Sequence, residues 1–315
     1  MNEFELIRRY FTPLYAQRAE DGVTLGIGDD AALLAPRADH ELAVTTDTLI
    51  AGRHFPVVTS AYDIGWKALA VNLSDLAAMA AEPRWFTLAL SLPDANETWL
   101  QDFARGLQAL AQQHHIVLVG GDTTRGPLSI TITAIGEVPR GKALRRDGAR
   151  PGDLICVTGT LGDAAAGLRE VLAGQPSTEY LLHRLNRPLP RVTSGRAMRG
   201  LATAMIDLSD GLAGDLQHIL DASGVGAVVD AAALPSSAVL MAYASDAAVR
   251  RSLQLSGGDD YELCLCIPAE RLVDACRVVE TPLSVIGRIT AEPGFRLGAV
   301  DGATIELKPA GYQHF

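Results

Sequence analysis

The most constraining feature of this chain is a set of six short acidic stretches between positions 26 and 262. Each stretch combines Asp with glycine or with hydroxyl-bearing residues, and several directly follow a short apolar run. Carboxylate and hydroxyl oxygens are the ligands that Mg²⁺ prefers, and glycine lets the backbone come close to a ligand. The pattern therefore predicts a fold that gathers the stretches around one multi-metal phosphate site. The stretches are GIGDD at 26–30, TTDT at 45–48, NLSD at 72–75, GGDTT at 120–124, DLSDG at 207–211 and SGGDDYE at 256–262.

Length and charge narrow the class of protein. The chain has 315 residues, of which 48% are hydrophobic, so two domains with buried cores are expected. A formal net charge of −10 argues against nucleic acid or an anionic membrane as a partner, although metal ions can bridge an acidic protein to phosphates. No run of about 18 apolar residues is present, the first residues carry charge, and the four cysteines show no CxxC spacing. These observations predict a cytoplasmic protein without a membrane-spanning segment.

Hydrophobic periodicity predicts an α+β fold with mixed sheets and helices packed on them. The first half reads as three strands, a helix, a strand, a helix and two strands, which differs from a repeated βαβ pattern. A segment at 141–152, rich in arginine and glycine, predicts a linker. The expected domains are therefore 1–140, with the metal and ATP site and a dimer interface, and 153–315, which completes the active site.

The same periodicity places several residues at particular positions of the predicted strands. Asp47 is expected directly after a strand at 42–46, and the stretch that ends at Asp122 is expected after a buried strand at 116–119. Carboxylates at strand ends would line a crevice rather than a core. Two cysteines at 264 and 266 alternate in an apolar run, which predicts that they lie on the core face of a strand.

Phosphoryl transfer is the chemistry that these residues favour. The chain lacks P-loop and protein-kinase signatures, and its GxGxxA run at 26–31 leads into Pro36 instead of a helix, which argues against a dinucleotide fingerprint. A general acid–base pair needs only two carboxylates, whereas a larger ring fits several Mg²⁺ ions that clamp a polyphosphate. A phosphate acceptor needs no base, because its oxygens are largely ionised at pH 7. The ring would consist of Asp30, Asp47, Asp75, Asp122, Asp207 and Asp210.

Several residues keep two interpretations at this level. Asp75 lies inside a predicted helix, either on its solvated face or as a metal ligand. Arg145 or Arg146 either holds a phosphate or is solvated. His54 either touches substrate or is structural. The aromatic tail that contains Tyr312 either docks in the core or stacks on a ligand.

Taken together and in order, the stretches resemble the thiamine-monophosphate kinase family. The resemblance covers nearly the whole chain, from GIGDDA at 26–31 to the terminal GYQHF. It implies ATP-dependent phosphorylation of thiamine monophosphate to thiamine diphosphate, by direct in-line transfer of the γ-phosphoryl group with several Mg²⁺ ions. It also implies a homodimer whose N-terminal sheets join, and the two-domain α+β architecture of aminoimidazole-ribotide synthetase.

The resemblance implies roles for individual residues as well. Asp259 stands where many relatives are expected to have Glu, and it is left out of the expected site. The implied metal positions are Asp30, Thr45, Thr46, Asp47, Asp75, Asp122, Asp207 and Asp210, of which Asp30, Asp47, Asp75, Asp122 and Asp210 are also implied to be catalytic. The implied nucleotide positions are Gly121, Asp122, Arg146 and Ser209, and the implied substrate positions are His54, Glu262 and Tyr312.

Two rival interpretations remain at this level. The first is another ATP-dependent enzyme of the same superfamily, similar to aminoimidazole-ribotide or selenophosphate synthetase. A selenophosphate synthetase is expected to carry an N-terminal cysteine or selenocysteine, and the first cysteine here is Cys156. The second is a non-catalytic, metal-dependent nucleotide-binding protein, which ATP turnover would distinguish from an enzyme.

Overall fold

The structure, a computed structural model, describes residues 3–12, 21–176, 178–298 and 304–306. The chain divides into an N-terminal unit (Met1–Leu76 and Ala81–Gly141) and a C-terminal unit (Ala77–Ala80 and Lys142–Phe315). Each unit combines helices with a mixed sheet, so the predicted α+β fold class is confirmed. Within the described part of the chain, no helix is both long and apolar enough to cross a membrane.

The N-terminal unit follows the predicted order of strands and helices. Its elements are α1 (Glu3–Leu6), continued by a π-helical turn (Ile7–Phe11), β1 (Val23–Leu25), β2 (Leu33–Leu34), β3 (His40–Ile50), α2 (Ala61–Ala78), β4 (Glu82–Leu92), α3 (Glu97–His114), β5 (Val117–Arg125) and β6 (Ser129–Pro139). The last four strands form a sheet with the order β3-β6-β4-β5, in which β4 and β5 are parallel and the other neighbours antiparallel. Strands β1 and β2 form a separate antiparallel pair.

Two predicted strand ends are wrong, and both errors concern the acidic stretches. Strand β3 continues through Asp47 to Ile50, because it pairs with β6 without interruption over its whole length. Strand β5 likewise continues through Asp122 to Arg125, because it pairs with β4 along the same stretch. The two carboxylates therefore lie within edge strands of the sheet and not in loops after them.

Helices α2 and α3 touch through glycine. A Cβ atom on Gly65 of α2 would lie 2.2 Å from the carbonyl oxygen of Phe103, and one on Gly106 of α3 would lie 1.9 Å from that of Tyr62. Only glycine permits such a close backbone approach. This contact fixes the position of α2, which carries the stretch that ends at Asp75.

The C-terminal unit contains a seven-stranded mixed sheet. Its elements are β7 (Leu154–Thr158), α4 (Asp163–Leu172), α5 (Glu179–Asn186), α6 (Val192–Ala197), β8 (Ala204–Asp207), α7 (Leu212–Ser223), β9 (Gly226–Asp230), α8 (Ala238–Tyr243), α9 (Ala247–Ser256), β10 (Leu263–Ile267), α10 (Leu272–Val278), β11 (Leu283–Thr290), β12 (Gly294–Gly298) and β13 (Thr304–Glu306). The strand order is β13-β12-β9-β11-β7-β10-β8, with β9 and β12 parallel and the other neighbours antiparallel. Cys264 and Cys266 are fully buried in the core on β10, as predicted.

Four elements of this unit, α8, α9, β12 and β13, were not predicted from the sequence. The two helices begin at side-chain caps: Ser237 accepts the backbone N–H of Leu240, and Asp246 accepts that of Ala248. Serine and aspartate are preferred at such positions because they satisfy a free backbone donor. These caps were therefore usable signals in the sequence.

The segment predicted as a linker packs on the C-terminal unit. It contains a 3₁₀ turn (Arg146–Gly148), and the carbonyl of Arg145 accepts the backbone N–H of Met205 on β8. Behind the turn, the N–H of Ala149 donates to the hydroxyl of Ser223 at 3.1 Å. The turn therefore has a fixed position at the end of β8.

Candidate active site

In the N-terminal unit, a hydroxyl on β3 contacts a carboxylate on α2. The Thr45 hydroxyl donates a short hydrogen bond to the carboxylate of Asp75. Asp47 lies on the same face of β3 as Thr45, because side chains alternate along a strand. All three residues are half-buried. The contact joins two of the predicted metal positions, and Asp47 lies on the same face of β3 as Thr45. The role of Asp75 as a metal ligand stays a prediction.

A fourth oxygen lies one helical turn away from Asp75. Asn72 is fully buried, and its Nδ2 donates to the carbonyl of Ala68 at 3.2 Å. Its Oδ1 is buried without a hydrogen-bond partner among the described residues. A buried acceptor without a partner is costly, and residues three apart on a helix share a face. The carboxylate, hydroxyl and amide oxygens here form the all-oxygen donor set that suits Mg²⁺.

The side chain of Thr46 points away from this group. Its hydroxyl lies 2.9 Å from the hydroxyl of Thr133, and the hydroxyl of Thr48 lies 2.8 Å from that of Thr131. Both contacts are on the face of β3 opposite to Thr45. Thr46 can therefore serve a metal beside Thr45 only through its backbone oxygen.

Asp122 and Gly121 lie at the other edge of the same sheet. Asp47 on β3 lies opposite Ile132 on β6, Ile132 lies opposite Leu88 on β4, and Leu88 lies opposite Gly121 on β5. Asp47 and Gly121 are therefore three strand spacings apart, or roughly 14 Å. Asp122 is exposed, and so is Asp30, whose backbone N–H donates to the Asp29 carboxylate at 2.8 Å. Among the described residues, no three His, Cys, Asp or Glu side chains form a metal-binding group, so the complete ring stays a prediction.

His54 lies in the turn after β3 and has a defined tautomer. The backbone N–H of Ile50 donates to its Nδ1 at 3.0 Å. Since Nδ1 accepts, the neutral ring carries its proton on Nε2. His54 can therefore offer an N–H donor to a ligand, and its contact with substrate stays a prediction.

In the C-terminal unit, the DLSDG stretch forms the loop between β8 and α7. Asp207 is the buried last residue of β8, and Ser209 and Asp210 are half-buried in the loop. Asp215 in the first turn of α7 accepts the backbone N–H groups of Asp210 and Gly211 at 3.0 and 3.1 Å. Burial raises the pKa of Asp215 to about 7, against the effect of these N–H donors. Asp215 was not among the predicted site residues, although an Asp in the first turn of a helix is a recognisable signal.

The SGGDDYE stretch is bonded to this loop along its backbone. The N–H of Asp259 donates to the carbonyl of Ser209, and that of Tyr261 to the carbonyl of Leu208, both at 2.8 Å. Asp259 and Tyr261 both have left-handed backbones, with φ of 69° and 48°. A Cβ atom on Gly258 would lie 2.6 Å from the carbonyl oxygen of Ser209. The glycine is therefore needed for the close approach of the two segments.

Glu262, predicted to contact substrate, is fully buried. Its carboxylate accepts hydrogen bonds from Thr158, Arg184 and Arg191. A substrate would reach this carboxylate only if these contacts opened, so the direct contact stays a prediction. The two arginines were missed, because nothing local in the sequence distinguishes them from the other basic residues.

Arg145 and Arg146, the candidate phosphate contacts, differ in their surroundings. Arg145 forms a fork with Asp147 through contacts of 3.0 and 2.6 Å. Arg146 is exposed and has no ion pair within the described ranges. This difference favours Arg146 as the phosphate contact. Tyr312 lies outside the described residues.

This chain matches family models and curated proteins over most of its length. The family model for "AIR synthase related protein, N-terminal domain" matches residues 28–138, and the model for its C-terminal domain matches residues 150–300. The thiamine-monophosphate kinase of Escherichia coli (strain K12) is 48% identical over 321 aligned positions, which cover 99% of this chain and 98% of the relative. The chain belongs to the thiamine-monophosphate kinase family.

Solved structures of this kinase family share the fold. A thiamine-monophosphate kinase from Stenotrophomonas maltophilia K279a has a TM-score of 0.85 and 53% identity, covering 90% of this chain and 92% of that one. AaThiL, solved in a complex with AMPPCP and TMP, has a TM-score of 0.80 and 31% identity, covering 99% of this chain and 97% of that one. The resemblance stated from the motifs, including the relationship to AIR synthase, is therefore confirmed. The roles of individual residues in this kinase family member stay predictions.

Proposed function

We propose that this chain is a cytoplasmic enzyme that transfers the γ-phosphoryl group of ATP to thiamine monophosphate, giving thiamine diphosphate. The observation that carries the proposal is the identity to thiamine-monophosphate kinases over 99% of the chain. The complex of AaThiL with AMPPCP and TMP supports the choice of donor and acceptor. All four cysteines are free, which agrees with a reducing compartment.

Several Mg²⁺ ions are part of the proposal. The contact between Thr45 and Asp75, with Asp47 on the same face and the Asn72 oxygen one turn away, is the donor set that would hold a first ion. Asp122 at the other edge of the sheet, and Asp30, would hold others. When bound, Mg²⁺ neutralises phosphate charge during in-line transfer.

The protein groups then bind and orient the two substrates. Arg146 would contact the nucleotide phosphates, since an exposed guanidinium can form a fork with phosphate oxygens. Ser209 would contact the nucleotide from the loop after β8. His54 would donate a hydrogen bond from its Nε2–H to an oxygen of thiamine monophosphate. No general base is needed, because the attacking phosphate oxygen is already ionised at neutral pH.

The proposed reaction has a direct test. Purified protein with ATP, Mg²⁺ and thiamine monophosphate should yield thiamine diphosphate, measured by chromatography, whereas free thiamine should yield none. Failure to form the diphosphate while a nucleotide still binds with Mg²⁺ would reject the acceptor. That result would favour the alternative of another ATP-dependent enzyme in the same superfamily.

We also propose that the chain forms a homodimer through β3. In the described residues β3 is an edge strand, and its outward face carries Leu42, Val44 and Ile50, which are 50%, 62% and 46% exposed. A long apolar edge strand is a ready partner for another strand, and a second copy of the chain supplies an identical one.

The dimer can be tested by changing this edge. Val44→Lys is expected to lower the mass measured by light scattering from that of a dimer to that of a monomer. The control is Val273→Lys on α10, where the valine is 59% exposed but not on a strand. A wild-type chain that is monomeric at high micromolar concentration would contradict the proposal.

A further inference from the structure

A buried ionic cluster in the C-terminal unit centres on Glu262. Its carboxylate accepts four hydrogen bonds: from the Thr158 hydroxyl at 2.7 Å, from Arg184 at 3.1 Å, and from Nε and Nη2 of Arg191 at 2.7 and 2.6 Å. A carboxylate has about four acceptor sites, so this one is saturated. The two contacts from Arg191 form the planar fork that is the strongest form of this pairing.

The cluster has little freedom to move. Glu262 is fully buried, and the side chain of Arg191 is only 17% exposed. A Cβ atom on Gly159 would lie 2.3 Å from Oε1 of Glu262, so the backbone after β7 closes over the carboxylate. Arg184 is also bonded to the carbonyl of Thr160 at 3.2 Å. Removal of one cation would leave a buried charge insufficiently compensated.

The backbone of Glu262 is hydrogen-bonded to the loop at 207–211, which contains the predicted nucleotide contact Ser209. Its carbonyl accepts the N–H of Leu208 at 2.8 Å, next to the bonds from Tyr261 to Leu208 and from Asp259 to Ser209. Left-handed backbones at two non-glycine residues are costly and persist only where the surroundings hold them in place. The fork from Arg191 provides such a constraint immediately beside them.

We propose that Arg191, acting through Glu262, is a positioning residue for Ser209 and thereby for the nucleotide. Arg191 does not touch substrate in this proposal; it fixes the side chain whose backbone holds the loop. The assignment rests on the proposed function, in which Ser209 contacts ATP. It also gives Glu262 a role that agrees with its burial.

Three variants separate positioning from simple structural support. Arg191→Met removes both donors, Arg191→Lys restores one of them, and Arg250→Met is the control. Arg250 is also half-buried in the C-terminal unit, but its guanidinium donates to the carbonyl of Ala244, which is not part of the DLSDG loop or of the Glu262 cluster. Each variant is measured for unfolding temperature, for Kd of AMPPCP with Mg²⁺, and for kcat and KM.

In folded Arg191→Met, the Kd of AMPPCP and the KM for ATP are expected to rise roughly 10- to 100-fold, because a small displacement of a binding group has effects of this size. Arg191→Lys should recover part of the loss, and Arg250→Met should match the wild type. A lower unfolding temperature with unchanged Kd and KM in Arg191→Met would overturn the proposal, because the residue would then be only structural.

A milder variant keeps the proposal testable if Arg191→Met does not fold. Thr158→Val keeps the shape and removes one of the four bonds to Glu262, together with the acceptor of the Leu263 backbone N–H at 2.9 Å, so a smaller rise in the same Kd is expected. No rise would overturn the proposal. The analogue Kd does not depend on the acceptor, so a wild-type protein that binds AMPPCP but makes no thiamine diphosphate would reject the function and leave this test intact. A wild type that binds no nucleotide would reject both.

Discussion

Asp75→Asn is expected to lower kcat/KM for thiamine diphosphate formation by on the order of 100-fold or more, while the protein stays folded. The asparagine keeps the shape of the side chain and an oxygen that can accept the Thr45 hydroxyl. The change therefore removes mainly the negative charge that would hold Mg²⁺ beside the phosphates. Asp47→Asn, on the same face of β3, is expected to behave in the same way.

The measurement is steady-state turnover as a function of Mg²⁺ concentration, with circular dichroism to verify the fold. In the variants, the Mg²⁺ concentration that gives half-maximal rate should rise. The matched control is Asp102→Asn on α3, where the carboxylate is 43% exposed and pairs with Arg105 at the surface, so the same chemical change should have little effect. Near-normal turnover of folded Asp75→Asn would remove the metal role from Asp75.

The sequence predicted the order of elements in the N-terminal unit because that order depends on local periodicity. It did not predict where β3 ends, because the strand is extended by pairing with β6, whose Ser129 opposes Ile50 from 79 positions along the chain (129 − 50). Alternation separates Thr45 from Thr46 already within the predicted strand at 42–46, but it places Asp47 on the face of Thr45 only once the strand is known to continue. The positions of the carboxylates thus depended on a non-local ladder.

The cluster around Glu262 shows a second limit of prediction from sequence. The acidic stretch at 256–262 was recognisable, and its glycines agreed with a close backbone approach. Its partners Arg184 and Arg191 are 78 and 71 positions away and lie in a part of the chain without a local motif. The burial that changes the expected role of Glu262 therefore became visible only in three dimensions.

Gly121→Ala is expected to lower the free energy of unfolding by roughly 3 kcal/mol or more. Gly121 has a φ of 151°, and an added Cβ would lie 1.9 Å from the carbonyl oxygen of Leu88. That oxygen is backbone of the neighbouring strand β4, so it cannot move aside without opening the pairing of β4 with β5. The substitution combines a strained φ with a steric clash inside the sheet.

The adjacent glycine is a control for the same methyl group. Gly120 has no atom within 4 Å of the added Cβ and no positive φ, so Gly120→Ala is expected to change the free energy of unfolding by less than about 1 kcal/mol. Thermal unfolding should show a fall of roughly 10 °C for Gly121→Ala and almost none for Gly120→Ala. Equal stability of the two variants would mean that β5 does not run against β4 at Gly121. If Gly120→Ala is stable but inactive, the methyl group is blocking a ligand beside Asp122, which locates the nucleotide at this edge of the sheet.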